Sequence, residues 1–398
     1  MVKFAHLADC HLGGWRQEEL QSLNFKSFQK VVEICILEKV DFVLISGDLF
    51  DSAYPPIEVL KETFAEFKKF KDANIPIYLI AGSHDFSASG KTFLDVLEKA
   101  GFCKNVGNFE IQEDGKIKIY PSFFGDIAIF GYPGKKSGME VEDLKKIFFS
   151  SLHPFTIFMF HSTVKEVVGN LPVDFIEKQK LPLANYYAMG HIHQVFEKNE
   201  SGVFYVYPGP SFPNNFQELV DLKCGSFQLV EESCGKIKTK NIKIPLKEVV
   251  FLEIELKESL TATQKIISEI DKINLNDKIF LLKLKGVLMQ GKTGDIHFNE
   301  IEEFIAKKGT FSFLRNISSI KIQETELDIS SSSENVENME RKIIGEYSSK
   351  NPADFNKFLP QLMDVLSMEK NEEEKSMIFE ERLVSELKNI LEINSVLT

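Results

Sequence analysis

The sequence predicts an α/β protein: a layered sheet-and-helix domain over about residues 1–215, then a small α+β module and an all-helical end. Three observations lead there. Short β-rich apolar runs alternate with helical patterns through the first 215 residues, as layered α/β domains do. Seven of the eight histidines (6, 11, 84, 153, 161, 191 and 193) precede residue 200, leaving only His297 outside. A Ser- and acid-rich stretch, "ELDISSSSENVEN" (326–338), reads as a linker between what precedes it and a helical remainder.

In chain order, the predicted strands are 2–8 (VKFAHLA), 41–46 (DFVLIS), 75–81 (IPIYLIA), 127–132 (IAIFGY), 155–160 (FTIFMF), 186–189 (YYAM) and 203–208 (VFYVYP). Helical periodicity marks 25–39 and 56–72 between them. The second module, about 248–322, offers "VVFLEIEL" and "KIFLLKLKG" with helices at 261–272 and 298–308. Beyond the linker, Phe355, Phe358, Leu359, Leu362, Val365 and Leu366 share one helical face, and Phe379, Leu383, Leu387, Ile390 and Leu391 share another.

Composition sets bounds. No apolar run approaches ~18 residues and no signal-peptide pattern opens the chain, so the expectation is a soluble, intracellular protein with no membrane association. The five cysteines, with no C-x-x-C pair, read as reduced thiols. A net charge of −12 argues against strong unaided binding to nucleic acid, but not against an enzyme whose metal ions meet the phosphate. The 35 phenylalanines spread over every segment, as core filling does.

The chemistry sits at strand ends. "ADCH" places Asp9 and His11 after the first strand, "SGDLFD" places Asp48 and Asp51 after the second, and "GSHD" places Ser83 and His84 after the third. His161 ends the run 155–160, and "MGHIH" sets His191 and His193 after 186–189. Loops beyond the carboxyl ends of strands converge in open α/β sheets, so five such ends deliver carboxylates and imidazoles to one rim. That donor mixture suits Mn, Fe or Zn. About seven donors are too many for one ion; two ions about 4 Å apart, sharing a carboxylate, would clamp a phosphate and activate a water. His6, inside the first strand, and His153, before Pro154, lie away from that rim, and Lys135 and Lys136 read equally as phosphate contacts or as a solvated pair.

The ordered set D-x-H, G-D-x-x-D, G-S-H-D, H and G-H-x-H resembles the calcineurin-like metallophosphoesterase superfamily. Within it, "FAHLADCHLG", "SGDLFD", "GHIH" and "YPGPSF" are similar to the DNA double-strand-break repair nucleases of the Mre-eleven and SbcD type. The resemblance implies a metallophosphoesterase β-sandwich flanked by helices at 1–245, a DNA-capping α+β domain at 246–325, a linker at 326–338 and a helical partner-binding region at 339–398. It implies a DNA exonuclease or endonuclease with two divalent ions, most simply Mn2+. Asp9, His11 and His193 would hold the first ion, His161 and His191 the second, and Asp48 both. Ser83 stands where the family carries Asn, and as a shorter neutral alcohol it should bind metal weakly or through water. His84 matches the family's catalytic histidine, with Asp51 as the candidate for orienting it. Implied partners are DNA, an ABC-type coiled-coil ATPase (Rad-fifty or SbcC type) docked on the C-terminal helices, and a second copy paired through helices near 56–72 and 91–100. The implied place is the cytoplasm, at the nucleoid in a prokaryote. Two rival readings remain: a phosphoesterase for small phosphodiesters, and a catalytically weak scaffold that bridges DNA.

Overall fold

The computed structural model describes residues 1–87, 90, 92–136, 138–149, 153–169, 173–322, 345, 358–368, 370 and 376–391. They fall into two compact units, Met1–Ile322 and Gln323–Thr398.

Two six-stranded sheets face each other in the first unit. One runs in the order Lys236–Ile244, Gly225–Ser233, Val2–Leu7, Phe42–Ser46, Ile77–Ile80, Lys104–Asn105. The other runs Phe196–Glu200, Val203–Tyr207, Tyr186–Gly190, Phe155–His161, Ile127–Tyr132, Ser122–Phe124. The inner pairings are parallel, so the carboxyl ends of neighbouring strands open on the same edge of their sheet. The period-2 alternation of side chains builds the layers. Phe42 and Leu44 enter the apolar layer between the sheets with Phe4, Ile157, Tyr186 and Val206. Their neighbours Val43 and Ile45 face the opposite way, onto Phe28, Val31, Phe67 and Phe70 of the helices.

All seven predicted strands form, each within two residues of its expected ends. The first helix is longer than expected, Glu18–Leu37, because Leu20, Leu23 and Asn24 continue its buried face through a polar start that hides the periodicity. The second spans Ile57–Asp72 and the third Leu94–Lys99; Lys91 lies outside the described residues. The hairpin Gly225–Ser233 and Lys236–Ile244 was not anticipated. Its second strand, "KIKTKNIKI", is a polar edge strand, and its two turn residues Cys234 and Gly235 take φ of 51° and 77°, as a type I′ turn requires.

Residues 249–322 form a three-stranded parallel sheet, Val249–Glu255, Ile279–Leu288 and Ser312–Ile322, covered by helices Ala262–Asp271 and Phe298–Lys307. The third strand escaped the sequence reading because Arg315, Asn316, Ser318 and Ser319 break its apolar run. This module has its own core around Ile266, Ile270, Leu282, Leu284 and Ile301. A separate apolar cluster joins it to the sandwich, where Trp15, Leu20, Phe212 and Leu219 meet Ile279 and Leu281.

In the second unit, Leu359–Leu366 and Ser376–Ile390 are helical. The expected linker 326–338, and Phe355 of the first apolar face, lie outside the described residues. No helix among the described residues is long and apolar enough to cross a membrane. All five cysteines are free.

Candidate metal centre

The loops after Val2–Leu7 and Phe42–Ser46 are laced together by their backbones. Asp9 N–H donates to Gly47 C=O at 3.1 Å, and His11 N–H donates to Asp48 C=O at 3.0 Å. Asp9, His11, Asp48 and His191 all hold positive φ, at 52°, 43°, 49° and 94°. Such a conformation costs a non-glycine residue about 1–3 kcal/mol and persists where surrounding bonds enforce it, commonly at functional sites. Gly82 is needed for close approach: a Cβ there would lie 2.2 Å from Asp48 Oδ1 and 2.3 Å from its backbone nitrogen.

Among the described residues, three groups of side chains bring their ligand atoms within 4.8 Å of one another: Asp9, His11 and His193; His11, Asp48 and His84; and Asp9, Asp48 and His161. Asp48 sits between the two sides of the site. Its Oδ2 is 3.8 Å from His11 Nε2 and 3.1 Å from His161 Nε2. His161 Nε2 is fully buried and makes no hydrogen bond, and His11 Nε2 faces His193 Nε2 at 3.1 Å. Buried lone pairs aimed at each other and at carboxylates are costly unless a cation or proton stands between them. This donor set fits a divalent metal.

The other ring nitrogen of each of these three histidines is occupied. His11 Nδ1 lies 3.1 Å from Asp51 Oδ1, His161 Nδ1 lies 2.9 Å from Ser46 C=O, and His193 Nδ1 lies 2.8 Å from Glu218 Oε1. Each Nδ1–H donation to oxygen fixes the tautomer and leaves Nε2 as the ligand atom, the arrangement metal-binding histidines use.

Charge follows the same geometry. Burial disfavours the His161 imidazolium, but Asp48 and Asp9 outweigh it and hold its pKa up at about 10. Burial likewise opposes charge on His193, yet Glu218 and Asp9 raise it to about 9. Burial, with the neighbouring His161 charge, pushes His191 down to about 4. Asp48, despite burial, is held well below the carboxylate range by His161 and His11.

The other predicted residues fall as follows. Ser83 Oγ donates to Asp48 Oδ2 at 3.4 Å. His191 donates its backbone N–H to Asp9 at 2.9 Å and stands its ring edge-on to His161, 5.2 Å between centroids, but it belongs to none of the three ligand groups. The half-exposed His84 is held by its backbone N–H on Asp48 Oδ1 at 2.8 Å and by its Nδ1 on the backbone carbonyl of Asp51 at 2.9 Å. Asp51, the residue expected to orient His84, meets its Nδ1 through the main-chain carbonyl at 2.9 Å, while the Asp51 carboxylate lies 3.1 Å from His11 Nδ1 and 4.0 Å from His84 Nδ1. Lys135 is engaged with Asp143, whose Oδ2 also accepts from Tyr132 at 2.7 Å.

Two residues escaped the sequence reading. Asp85, fully buried, accepts from Gly82, Phe50 and Leu49 N–H at 2.9, 3.1 and 3.3 Å and so clamps two site loops; burial, with the Asp48 charge, raises its pKa to about 6. Glu218 holds His193. The signal for Glu218 was the pattern Asn215-Phe216-Gln217-Glu218, an Asx cap with Glu three residues later, which marks a helix start.

The family model for Calcineurin-like phosphoesterase matches residues 2–195. DNA double-strand break repair protein Mre11 of Archaeoglobus fulgidus is 26% identical over 342 residues, 79% of this chain and 74% of that one. The protein of the same name from Methanococcus maripaludis is 32% identical over 242 residues, 56% of this chain and 60% of its own length. That from Methanocaldococcus jannaschii is 29% identical over 279 residues, covering 65% and 70%.

Proposed function

Residues 2–195 match the calcineurin-like phosphoesterase family, and from that premise we propose that the chain is a two-metal DNA nuclease of double-strand-break repair. The observation that carries the reading is Asp48, whose one carboxylate oxygen faces His11 Nε2 and His161 Nε2 while both rings are tied at Nδ1. Asp9, His11 and His193 would hold one ion; His161, with His191 at the rim, would hold the other; Asp48 would touch both. Bound there, a pair of divalent ions supplies charge for the phosphate and a water acidic enough to attack it. The nitrogen and oxygen donors suit manganese, iron or zinc, and manganese is the ion proposed here.

The chain's own residues do the rest. Asp51, Ser46 and Glu218 keep three imidazoles aimed with Nε2 inward. His84, tethered at Nδ1 to the Asp51 carbonyl, leaves Nε2 for the substrate, where its protonated form gives a proton to the departing oxygen of the cleaved phosphodiester. Asp85 holds the loops that carry Asp48 and His84 in register.

Relatives named for double-strand break repair, one of them matched over 79% of this chain, support DNA as the substrate. On this reading that module caps the DNA, the helices after 339 dock an ABC-type coiled-coil ATPase, and two copies pair through helices Ile57–Asp72 and Leu94–Lys99. The test is manganese-dependent cleavage of a DNA hairpin and of a 3′ overhang by the wild type and by Asp48→Ala. The wild type should cut DNA and the variant should retain under about one hundredth of that activity. Hydrolysis of bis-nitrophenyl phosphate without cleavage of either DNA would overturn the substrate assignment, and a variant retaining a tenth of its activity would overturn the shared carboxylate.

A further inference from the structure

Helix Phe216–Leu222 lies between two parts of the molecule that the metal-centre reading treats separately. On one side it carries Glu218, whose Oε1 takes the Nδ1–H of His193 at 2.8 Å. The Glu218 side chain is largely buried and its carboxylate is held from three directions. Its Oε2 accepts from Asn214 N–H at 2.8 Å, its other oxygen from the Asn215 amide, and its own backbone N–H donates to Asn215 Oδ1 at 2.9 Å. Asn214 also donates to Asp51 Oδ1 at 3.4 Å, the carboxylate that orients His11. The start of this one short helix therefore supports both histidines of the group Asp9, His11 and His193.

The opposite face of the helix packs on the module at 249–322. Leu219 is fully buried in the cluster that includes Ile279 and Leu281 of the module's central strand. Phe216 and Val220 pack against the same cluster, as do Val249 and Leu314. The Phe216 ring meets the Phe251 ring of strand Val249–Glu255 edge-on, 6.4 Å between centroids. A helix of two turns, pinned to the module by three apolar side chains and to a metal ligand by a carboxylate on its first turn, moves as one body.

We propose that Glu218 is a positioning residue for His193, and that helix Phe216–Leu222 transmits the seating of the 249–322 module to the first metal position. The proposal rests on the metal-centre reading above. A module well seated holds the helix, the helix holds Glu218, and Glu218 keeps His193 Nε2 aimed beside His11. A module displaced from its seat, as a large ligand spanning module and sandwich could do, shifts the helix and loosens that ion while leaving the His161 side of the site untouched. The second position has no such link, since His161 is fixed by the Ser46 carbonyl inside the sandwich.

The experiment is a manganese titration of the full chain, followed by calorimetry and by the electron paramagnetic signal of free Mn2+, with the melting of the metal-free proteins measured alongside. Four proteins are compared: wild type, Glu218→Gln, Phe251→Ala and the double variant. Phe251 is 40% exposed, so its truncation trims the contact without emptying a core. Losing a partner that orients a metal ligand typically costs ~10–100-fold in affinity. Glu218→Gln should therefore weaken one of two manganese sites by that factor and leave the other in place. Phe251→Ala should weaken the same site by a smaller factor, and adding it to Glu218→Gln should do nothing further, because the link is already cut. Wild type with two sites and Glu218→Gln binding both as tightly would overturn the proposal alone; fully additive effects in the double variant would overturn the route through Glu218. A wild type that binds no manganese would overturn the metal-centre reading, and this proposal with it.

Discussion

His6 sits wholly between the two sheets, and its environment makes a quantitative demand on stability. Its Nδ1 lies 3.0 Å from the Tyr186 hydroxyl and its Nε2 lies 3.1 Å from Ser46 Oγ. Ser46 Oγ donates its proton to the Ala188 carbonyl at 3.0 Å, so the network assigns His6 Nε2–H as donor to Ser46 and Nδ1 as acceptor from Tyr186. A second ring proton would place a charge in that buried layer. Burial accordingly lowers the pKa from 6.5 to about 3. The folded state thus prefers the neutral ring. The contribution is fully present above pH 6.5 and is lost as pH falls toward 3, because the unfolded chain takes up a proton that the folded one refuses. At pH 5 the unfolded histidine lies about 1.5 units below its pKa, and at ~1.4 kcal/mol per unit the loss is about 2 kcal/mol. Urea unfolding of the chelated protein at pH 8 and pH 5 measures it, with His6→Gln as the non-titrating control. The variant is less stable at both values through lost packing, but the wild type should lose about 2 kcal/mol more than the variant between them. Equal losses would refute the buried neutral ring.

Two further predictions concern the site. Ser83 touches the Asp48 carboxylate at 3.4 Å, so Ser83→Asn, which offers a longer and better neutral donor, should lower the manganese concentration for half-maximal DNA cleavage, whereas Ser83→Ala should raise it only slightly; complete inactivity of Ser83→Ala would make the hydroxyl a required ligand. His84→Ala should keep both manganese sites but lose turnover by ~10²–10⁴-fold, since the ring serves the leaving oxygen; fewer ions bound to that variant would contradict the role.

Much of this site was legible in the sequence because its donors sit in short motifs at the ends of apolar runs, and a strand's end can be read locally. Asp9, His11, Asp48 and His161 come together for that reason. What stayed hidden depends on partners far along the chain. Glu218 meets His193 across 25 residues, Ser46 offers His161 a backbone carbonyl from 115 residues away, and a main-chain acceptor has no residue type to read. Asp51 was found as a neighbour of His84, but its carboxylate's place beside His11 was not, since two imidazoles, of His11 and His84, lie within 4.0 Å of one carboxylate oxygen and only geometry ranks them. In the fold, the strands with clean apolar runs were read, while Lys236–Ile244 and Ser312–Ile322, each at a sheet edge with polar residues interleaved, were not.

The central claim is that two cations share Asp48. Anomalous diffraction at the manganese edge from crystals soaked in Mn2+ tests it most directly. The account predicts two peaks, one within reach of Asp9, His11 and His193 and one at His161 Nε2, with the Asp48 carboxylate touching both. A single peak, or two peaks with Asp48 bound to neither, would contradict it.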